Sequence, residues 1–374
     1  MGRQADTSPR RRFIATATGL VAAVAAGAVV DAPNVIAQPK VYWRMPTAYP
    51  AAADIYHGAA QHLARIVEES SGGRFRIEVF SSGQILQPFE CFDAASKGTI
   101  ESFMAVSSYW AGRDPAMEWF QTIPFGMDPD GMAQWYQSGD GLKLWEEAYA
   151  PFGIVPRPGF SNAPQMGGWF RKKINTMADF KGLRMRISGL GGRVITRAGG
   201  TGLLTPGADI YGVLEQGVID AAEWIGPHDD MQLELHRTKA RYYYYPGWHE
   251  PGTVQEFSFN RKAYDGLPVD MRRLLDYAVA ATHTFGRTDF HSKNAMALEK
   301  LKREFKGKVE LLQFPTPVLH DLRKLSSEVV REASEKSPLA RKVHASFTKC
   351  QALVGAWDYV AEGAYQQLVG SRAS

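Results

Sequence analysis

Cysteine is nearly absent: Cys91 and Cys350 are the only two in 374 residues, and they lie far apart. Two cysteines over such a span make no disulfide framework. A single bridge, which an oxidising compartment permits, and two buried thiols both stay open. An excess of one charge is lacking too. Net charge is +4, and residues 1–37 hold four arginines and two aspartates, which leaves 39 basic and 37 acidic groups in the remainder. That balance excludes the electrostatic footprint of a nucleic-acid or acidic-membrane binder. There is no internal low-complexity tract, and beyond residues 14–30 no stretch is apolar enough to cross a bilayer. Catalytic signatures are also missing. The nine histidines form no HExxH or i,i+4 pair; Gly159-Phe160-Ser161 lacks the last glycine of a nucleophile elbow. Val194 stands where a dinucleotide fingerprint needs glycine, and nothing matches a phosphate-binding loop. Nothing around Cys91 marks it as a nucleophile.

What the chain does have begins with an export pattern. Arg10-Arg11-Arg12-Phe13-Ile14 precedes an Ala/Gly/Val-rich run over 14–30, and Val35-Ile36-Ala37 offers small residues for cleavage. The arginine pair, one residue, then Phe and Ile is similar to a twin-arginine signal. We expect residues 1–37 to be a cleaved leader and the mature chain to be periplasmic. An uncleaved anchor is the alternative, opposed by the run's weak hydrophobicity.

Residues 179–230 organise the rest. Residues 183–187 alternate arginine with apolar side chains, as a strand with two faces does. Gly189, Gly191 and Gly192 follow as a turn, and 193–198 can open a helix. A helix start exposes unpaired N–H groups at its positive end, and Arg186 lies beside it, so the pair forms a receptor for an anion, best a planar carboxylate. A second unit repeats the logic: helix at 210–215, stop at Gly217, strand from Val218 leading to Glu223 and Trp224, turn at Gly226-Pro227. A carboxylate and an indole thus sit at a strand end, where open α/β sheets hold ligands.

Elsewhere the patterns predict strands at 40–45, 75–80, 99–106, 165–171, 240–245 and 254–260, and an amphipathic helix at 54–69. Helices at 90–96, 271–283, 290–305, 318–337 and 339–368 are expected as well. The aromatics of 114–151 read as core. Residues 156–164, with three prolines, and 246–252 read as crossings between two lobes. Lys97-Gly98-Thr99-Ile100-Glu101 echoes Gln216-Gly217-Val218-Ile219-Asp220, as two similar α/β lobes facing across a cleft would; chance similarity of short units is the competitor. Gln165, Glu223, Glu250 and the Trp224 carbonyl supply oxygens of the kind Na⁺ or Ca²⁺ takes, though a lone Glu beside a Trp is more often solvated or ion-paired.

Six segments carry a family resemblance: Gln165-Met166-Gly167-Gly168-Trp169-Phe170, Gly182-Leu183-Arg184-Met185-Arg186-Ile187, Gly189-Leu190-Gly191-Gly192, Gly217-Val218-Ile219-Asp220-Ala221, Glu223-Trp224-Ile225-Gly226-Pro227 and Tyr244-Tyr245-Pro246-Gly247-Trp248. Together they resemble the DctP-type substrate-binding proteins of TRAP transporters, and within them the branch that takes 2-oxo and 2-hydroxy monocarboxylates with a cation. The resemblance implies an α/β fold, a two-lobed periplasmic-binding-protein-like (type II) clamp with an interlobe cleft and a long C-terminal helix. We place lobe I at 38–160 plus about 250–285, lobe II at 161–249 plus about 286–340, and the C-terminal helix at 341–374. By the same resemblance Arg186 pairs with the substrate carboxylate, while Gln165, Glu223 and the Trp224 carbonyl hold Na⁺ or Ca²⁺, joined by Glu250. The cation bridges to the carboxylate and the 2-oxygen of the ligand. Tyr109, with Trp110 beside it, closes the pocket from the first lobe, and Arg184 belongs to the surface. No organic cofactor is implied; the partners are a small carboxylate, the membrane permease subunits and a second copy joined through the C-terminal helix. The chain departs from the family pattern in places: Ser188 replaces a common proline, the loop 157–164 differs from the usual glycine-rich version, and His228 and His249 stand where aromatic residues are frequent.

The expected function is therefore that of an exported receptor, not an enzyme, binding a pyruvate- or lactate-like acid with its cation. The rival from another class is an exported metal-dependent hydrolase or lyase with Glu223 or Glu250 as base. A sensor docking to a signalling partner would share the pocket.

Overall fold

The computed structural model describes residues 40–370; the leader read into 1–37 lies outside them. The first sheet system starts with β1 (Val41–Pro46) and β2 (Phe75–Phe80), parallel and in register from Val41–Phe75 to Pro46–Phe80. Their connection is α1 (Asp54–Ser70), which buries Ile55, Ala59, Leu63 and Val67 at helical spacing against them. After α2 (Cys91–Ser96) comes β3 (Ser102–Ala105). A bridge from Thr47 to Met104 ties β1 to β3.

Helices α3 (Pro129–Gln137) and α4 (Gly141–Tyr149) follow, and the aromatics of this region are core as expected. Trp119, Phe120, Trp135 and Trp145 are fully buried, with Phe120 stacked on Trp145 at 5.4 Å. Then β4 (Ile154–Ser161) forms where the three prolines predicted an irregular crossing. The reason is its place in the sheet. The order is β3-β10-β4, so β4 is an edge strand, and Pro156 and Pro158 lie opposite Ser258 and Glu256 of β10 (Val254–Asn260) without breaking an interior ladder.

The second sheet has six strands in the order β11-β9-β5-β8-β6-β7. Its members are β5 (Gly168–Phe170), β6 (Arg184–Arg186), β7 (Thr201–Leu203), β8 (Ala221–Ala222), β9 (Tyr242–Tyr245) and β11 (Glu310–Gln313). Between them run α5 (Gly189–Arg197), α6 (Ile210–Glu215) and α7 (Pro227–Gln232). The glycines at 189–192 are the first turn of α5 itself, not a loop before it. The helix packs close on β7 because Gly202 has no side chain: a Cβ there would lie 2.5 Å from the Gly192 carbonyl oxygen. The echo noted in sequence has matching backbone geometry, with Gly98 after α2 at φ +73° and Gly217 after α6 at φ +74°.

The chain passes between the β3-β10-β4 sheet and the six-stranded sheet over 162–167, over 246–253, and again after α8 (Arg261–Asp265) through α9 (Val269–Glu304). That last element is one helix of 36 residues where the pattern predicted two. Gly286, which interrupts the apolar pattern, is kept by packing: a Cβ there would meet the Phe160 ring at 2.5 Å. The helix packs on β4 and α1 at one end and α7 at the other. At the C-terminus, α10 (Thr316–Ser334) covers α5, and α11 (Pro338–Val360) returns to α3 and α4. The single last helix expected over 339–368 is instead α11 followed by α12 (Glu362–Gly370), with the break at Ala361.

Candidate functional site

Two crossings and two strand ends converge on one small cavity. The crossing segments bond to each other: Gln165 N–H donates to the Glu250 carbonyl at 3.2 Å and Gly247 N–H to the Gln165 carbonyl at 2.8 Å. This fixes Gln165 and Glu250 side by side between the sheets. From β6 and β8 come Arg186 and Glu223, and from the turn after β3 comes Tyr109. The cavity is small, about 20 Å³, and is lined by these residues with Trp224, Ser188 and Gln121 among others.

Arg186 is 2% exposed. Its Nε donates to the Thr205 carbonyl at 3.1 Å, and Nη1 donates to the Glu223 carbonyl at 3.1 Å and to Glu223 Oε1 at 2.5 Å. The guanidinium lies 5.1 Å from the centre of the Trp224 ring, within cation–π reach. Nη2 is committed to no carboxylate or carbonyl among the described residues. Burial alone would lower its pKa, but Glu223, Tyr109 and Glu250 raise it, so the charge is secure. Arg184, two residues earlier, is on the surface and grips Asp220 through two 2.9 Å bonds.

Glu223 is buried, not solvated. Burial pushes its carboxyl upward, yet Arg186, His249 and the Ser188 N–H outweigh it and hold the group below the usual range. Glu250 goes the other way, raised by burial and then by the Glu223 charge. Four donors surround Glu250. Oε1 accepts from Ser188 Oγ (2.6 Å) and Gln121 Nε2 (3.1 Å), and Oε2 accepts from Gln165 Nε2 (2.7 Å) and Thr253 Oγ1 (2.7 Å). A carboxylate offers about four lone-pair positions, so Glu250 spends its capacity holding neighbours in place. Burial pushes the Tyr109 hydroxyl up to about 12 against the pull of the Arg186 guanidinium, so it remains an O–H donor. Trp110 is instead part of the core, its Nε1 donating to Glu256 at 2.7 Å.

The residues fit a hard cation by the acceptors left over. Gln165 Oε1 is buried with no partner. Glu223 Oε2 lies 3.6 Å from His249 Nε2, and no hydrogen bond reaches the Trp224 carbonyl among the described residues. Unpaired buried acceptors cost about 1–3 kcal/mol each, and a cation with oxygen ligands relieves that cost. Three participants gave little sequence signal. Gln121 lies in a stretch whose aromatics read as core and Thr253 between a crossing and a strand, and the role of Ser188 shows only in its departure from a proline, which could supply neither its Oγ nor the N–H that reaches Glu223 Oε1 at 3.1 Å. Tyr49 and Tyr56 were also not anticipated: the Tyr49 ring lies 4.7 Å from that of Tyr56 and 6.2 Å from that of the expected Trp224.

Comparison with known proteins gives this site its relatives. The chain is 34% identical over 333 residues, 89% of its length and 90% of the relative's, to the monocarboxylate 2-oxoacid-binding periplasmic protein of Nostoc sp.. A TRAP transporter solute-binding protein from Bordetella bronchiseptica, a mixed-occupancy dimer with copurified calcium and picolinate in its active site, superposes with a TM-score of 0.86 at 34% identity, covering 90% of this chain and 100% of that one. One from Pseudoalteromonas atlantica with bound sodium and pyruvate gives 0.84 at 35% identity, covering 88% and 99%. The model of the bacterial extracellular solute-binding protein family 7 (DctP) matches residues 47–337, so the chain belongs to that family of two-lobed α/β solute-binding proteins.

Proposed function

We propose that this protein is the extracytoplasmic receptor of a TRAP transporter, binding a small 2-oxo or 2-hydroxy monocarboxylate together with Na⁺ or Ca²⁺ and delivering it to the membrane permease. The observation that carries this reading is the buried Arg186, anchored through Nε and Nη1 beside the unpaired Gln165 Oε1 and the Glu223 carboxylate. Arg186 Nη2 and the Tyr109 hydroxyl receive the carboxylate. Gln165 Oε1, Glu223 Oε2 and the Trp224 carbonyl hold the cation, which supplies positive charge to the acid's oxygens. Glu250 keeps Gln165 and Ser188 in position. No bond-breaking role is left for the carboxylates: Glu250 is saturated by donors and Glu223 is ion-paired, so neither is a free base.

Lobes at 38–160 plus about 250–285 and 161–249 plus about 286–340 are supported by the separation of the six-stranded sheet from the β1-β2 and β3-β10-β4 sheets. Closure between them excludes water and strengthens the ion pair with the acid. Among the described residues no helix is long and apolar enough to cross a membrane, and export through the twin-arginine-like leader completes the reading. A homodimer through the C-terminal helices is supported by exposed Leu353, Trp357, Tyr359 and Tyr365. Titration calorimetry of pyruvate and lactate, with and without Na⁺ or Ca²⁺, tests the core of it. Cation-dependent binding without turnover by NMR is expected; binding indifferent to both cations, or product formation, refutes it.

A further inference from the structure

His249 is the site residue whose chemistry remains unused. It follows Trp248 on the second crossing, is 1% exposed, and has both ring nitrogens buried without a hydrogen-bond partner. A neutral imidazole carries one N–H and one bare lone pair, so leaving both unmatched in a protein interior costs on the order of 1–3 kcal/mol per group. Its position is prepared by its neighbours. The Trp248 ring meets it edge-on at 5.5 Å, and Gly191 in the first turn of α5 leaves the room, since a Cβ there would lie 2.9 Å from His249 Cβ.

The surroundings are those of a metal ligand. One donor atom each from Glu223, His249 and Glu250 lie within 4.8 Å of one another. Glu250 is saturated, and Glu223 Oε1 is taken by Arg186 and the Ser188 N–H. The buried atoms still without a partner here are Gln165 Oε1 and the nitrogens of His249, and Glu223 Oε2 is the carboxylate oxygen turned toward that ring. His249 Nε2 stands 3.6 Å from Glu223 Oε2, too long for a hydrogen bond. Two donors bound to one metal at about 2.0–2.2 Å sit roughly 3.0–3.6 Å apart, so the spacing suits a shared ion.

We propose that His249 donates an imidazole nitrogen to the same ion as Glu223 Oε2 and Gln165 Oε1, making this a mixed nitrogen–oxygen site that takes first-row divalent metals as well as Na⁺ or Ca²⁺. Imidazole adds little for hard cations but favours borderline ions, in the order Mn²⁺ below Co²⁺, with Zn²⁺ also well suited. The inference rests on the cation site proposed above and adds a nitrogen to it. A structural alternative is that His249 only orients Glu223 through an N–H, the role outer groups play at many metal sites.

The full chain, stripped with EDTA, is loaded with Mn²⁺ and examined by pulsed EPR, and Zn²⁺ and Ca²⁺ are titrated into wild type and His249→Phe, which keeps the aromatic bulk. Imidazole ¹⁴N coupling to Mn²⁺ is expected in wild type. In the variant, Zn²⁺ affinity should fall by about tenfold or more while Ca²⁺ changes less than about threefold. Absence of ¹⁴N coupling in Mn²⁺-loaded wild type overturns the proposal whether or not the variant folds, and so does an equal loss of Zn²⁺ and Ca²⁺, which marks a positioning role. Pyruvate binding with Ca²⁺ is measured alongside. If it occurs but Zn²⁺ affinity ignores His249, this inference alone fails. If ¹⁴N coupling is present but no 2-oxo acid binds, the transport reading alone fails.

Discussion

Arg186 Nη1 and Glu223 Oε1 meet at 2.5 Å with side chains 2% and 1% exposed, an ion pair almost wholly removed from water. Such a pair is costly to assemble, and removing one member strands the other charge at about 3–5 kcal/mol. Arg186→Ala should therefore lower stability by roughly that amount as well as abolish binding of the acid. The apolar double substitution Arg186→Met with Glu223→Leu should recover most of the stability and none of the binding. Denaturant melts paired with calorimetry read the two effects separately. Recovery of binding in the double variant would remove the arginine from the account.

Ser188 offers a smaller and more selective test. Its Oγ donates to Glu250 at 2.6 Å, and its N–H to Glu223 at 3.1 Å. Ser188→Ala removes the first bond alone and should cost about 1.5–3 kcal/mol, the range for a bond to a charged group. Ser188→Pro removes both donors, so its cation affinity should drop further than that of the alanine variant. Calorimetric titration of Ca²⁺ into both variants is the measurement. Equal affinities would mean the backbone donor contributes nothing to the cation site.

How much of this could be read from the chain depends on the distance over which each feature is specified. Arg186 at a strand end and Glu223-Trp224 after a short strand were legible, because strand, glycine stop and turn are local patterns. The saturation of Glu250 was not. Its donors Gln121, Gln165 and Ser188 lie 129, 85 and 62 residues away, so the count of bonds on that carboxylate exists only in the fold. The same holds for β4 and α9. Prolines 156 and 158 and Gly286 are breakers by propensity, and tertiary position, a sheet edge in one case and the face of Phe160 in the other, overrides them. The long last helix was seen as helical, but nothing in the spacing marked the break at Ala361.

Glu256 in the middle strand β10 makes stability depend on pH in an unusual direction. It is fully buried and accepts from Trp110 Nε1 at 2.7 Å, Tyr149 Oη at 3.3 Å and Ser258 Oγ at 2.5 Å. Burial pushes its carboxyl up to about 7, against those three donors. An acid raised in the folded state binds its proton more tightly there than in the unfolded chain, so its contribution is lost as pH rises from the ordinary carboxyl range toward 7. The loss over that window is about 3 kcal/mol at most. Glu256→Gln should flatten the fall of melting temperature between pH 5 and about 7.5 relative to wild type. Parallel curves for the two proteins would show that Glu256 does not titrate there.

The C-terminal helices carry the last prediction. Along α11 and α12, Leu353, Trp357, Tyr359, Val360 and Tyr365 are each more than 60% exposed, a concentration of apolar side chains that a solitary soluble surface rarely keeps. The rest of α11 is ordinary by contrast, with Ala340, Val343 and Phe347 buried against α3 and α4. In the homodimer proposed above, the exposed stretch would contact a second copy, while the buried stretch serves the fold. Trp357→Glu with Tyr365→Glu places two charges in that contact and none near the cavity. Analytical ultracentrifugation should show a dimer for wild type and a monomer for the variant, with unchanged calorimetric affinity for pyruvate and Ca²⁺ in both. A monomeric wild type would assign the patch to the permease or to nothing, and lost affinity in the variant would mean that the helices reach the ligand site through the fold.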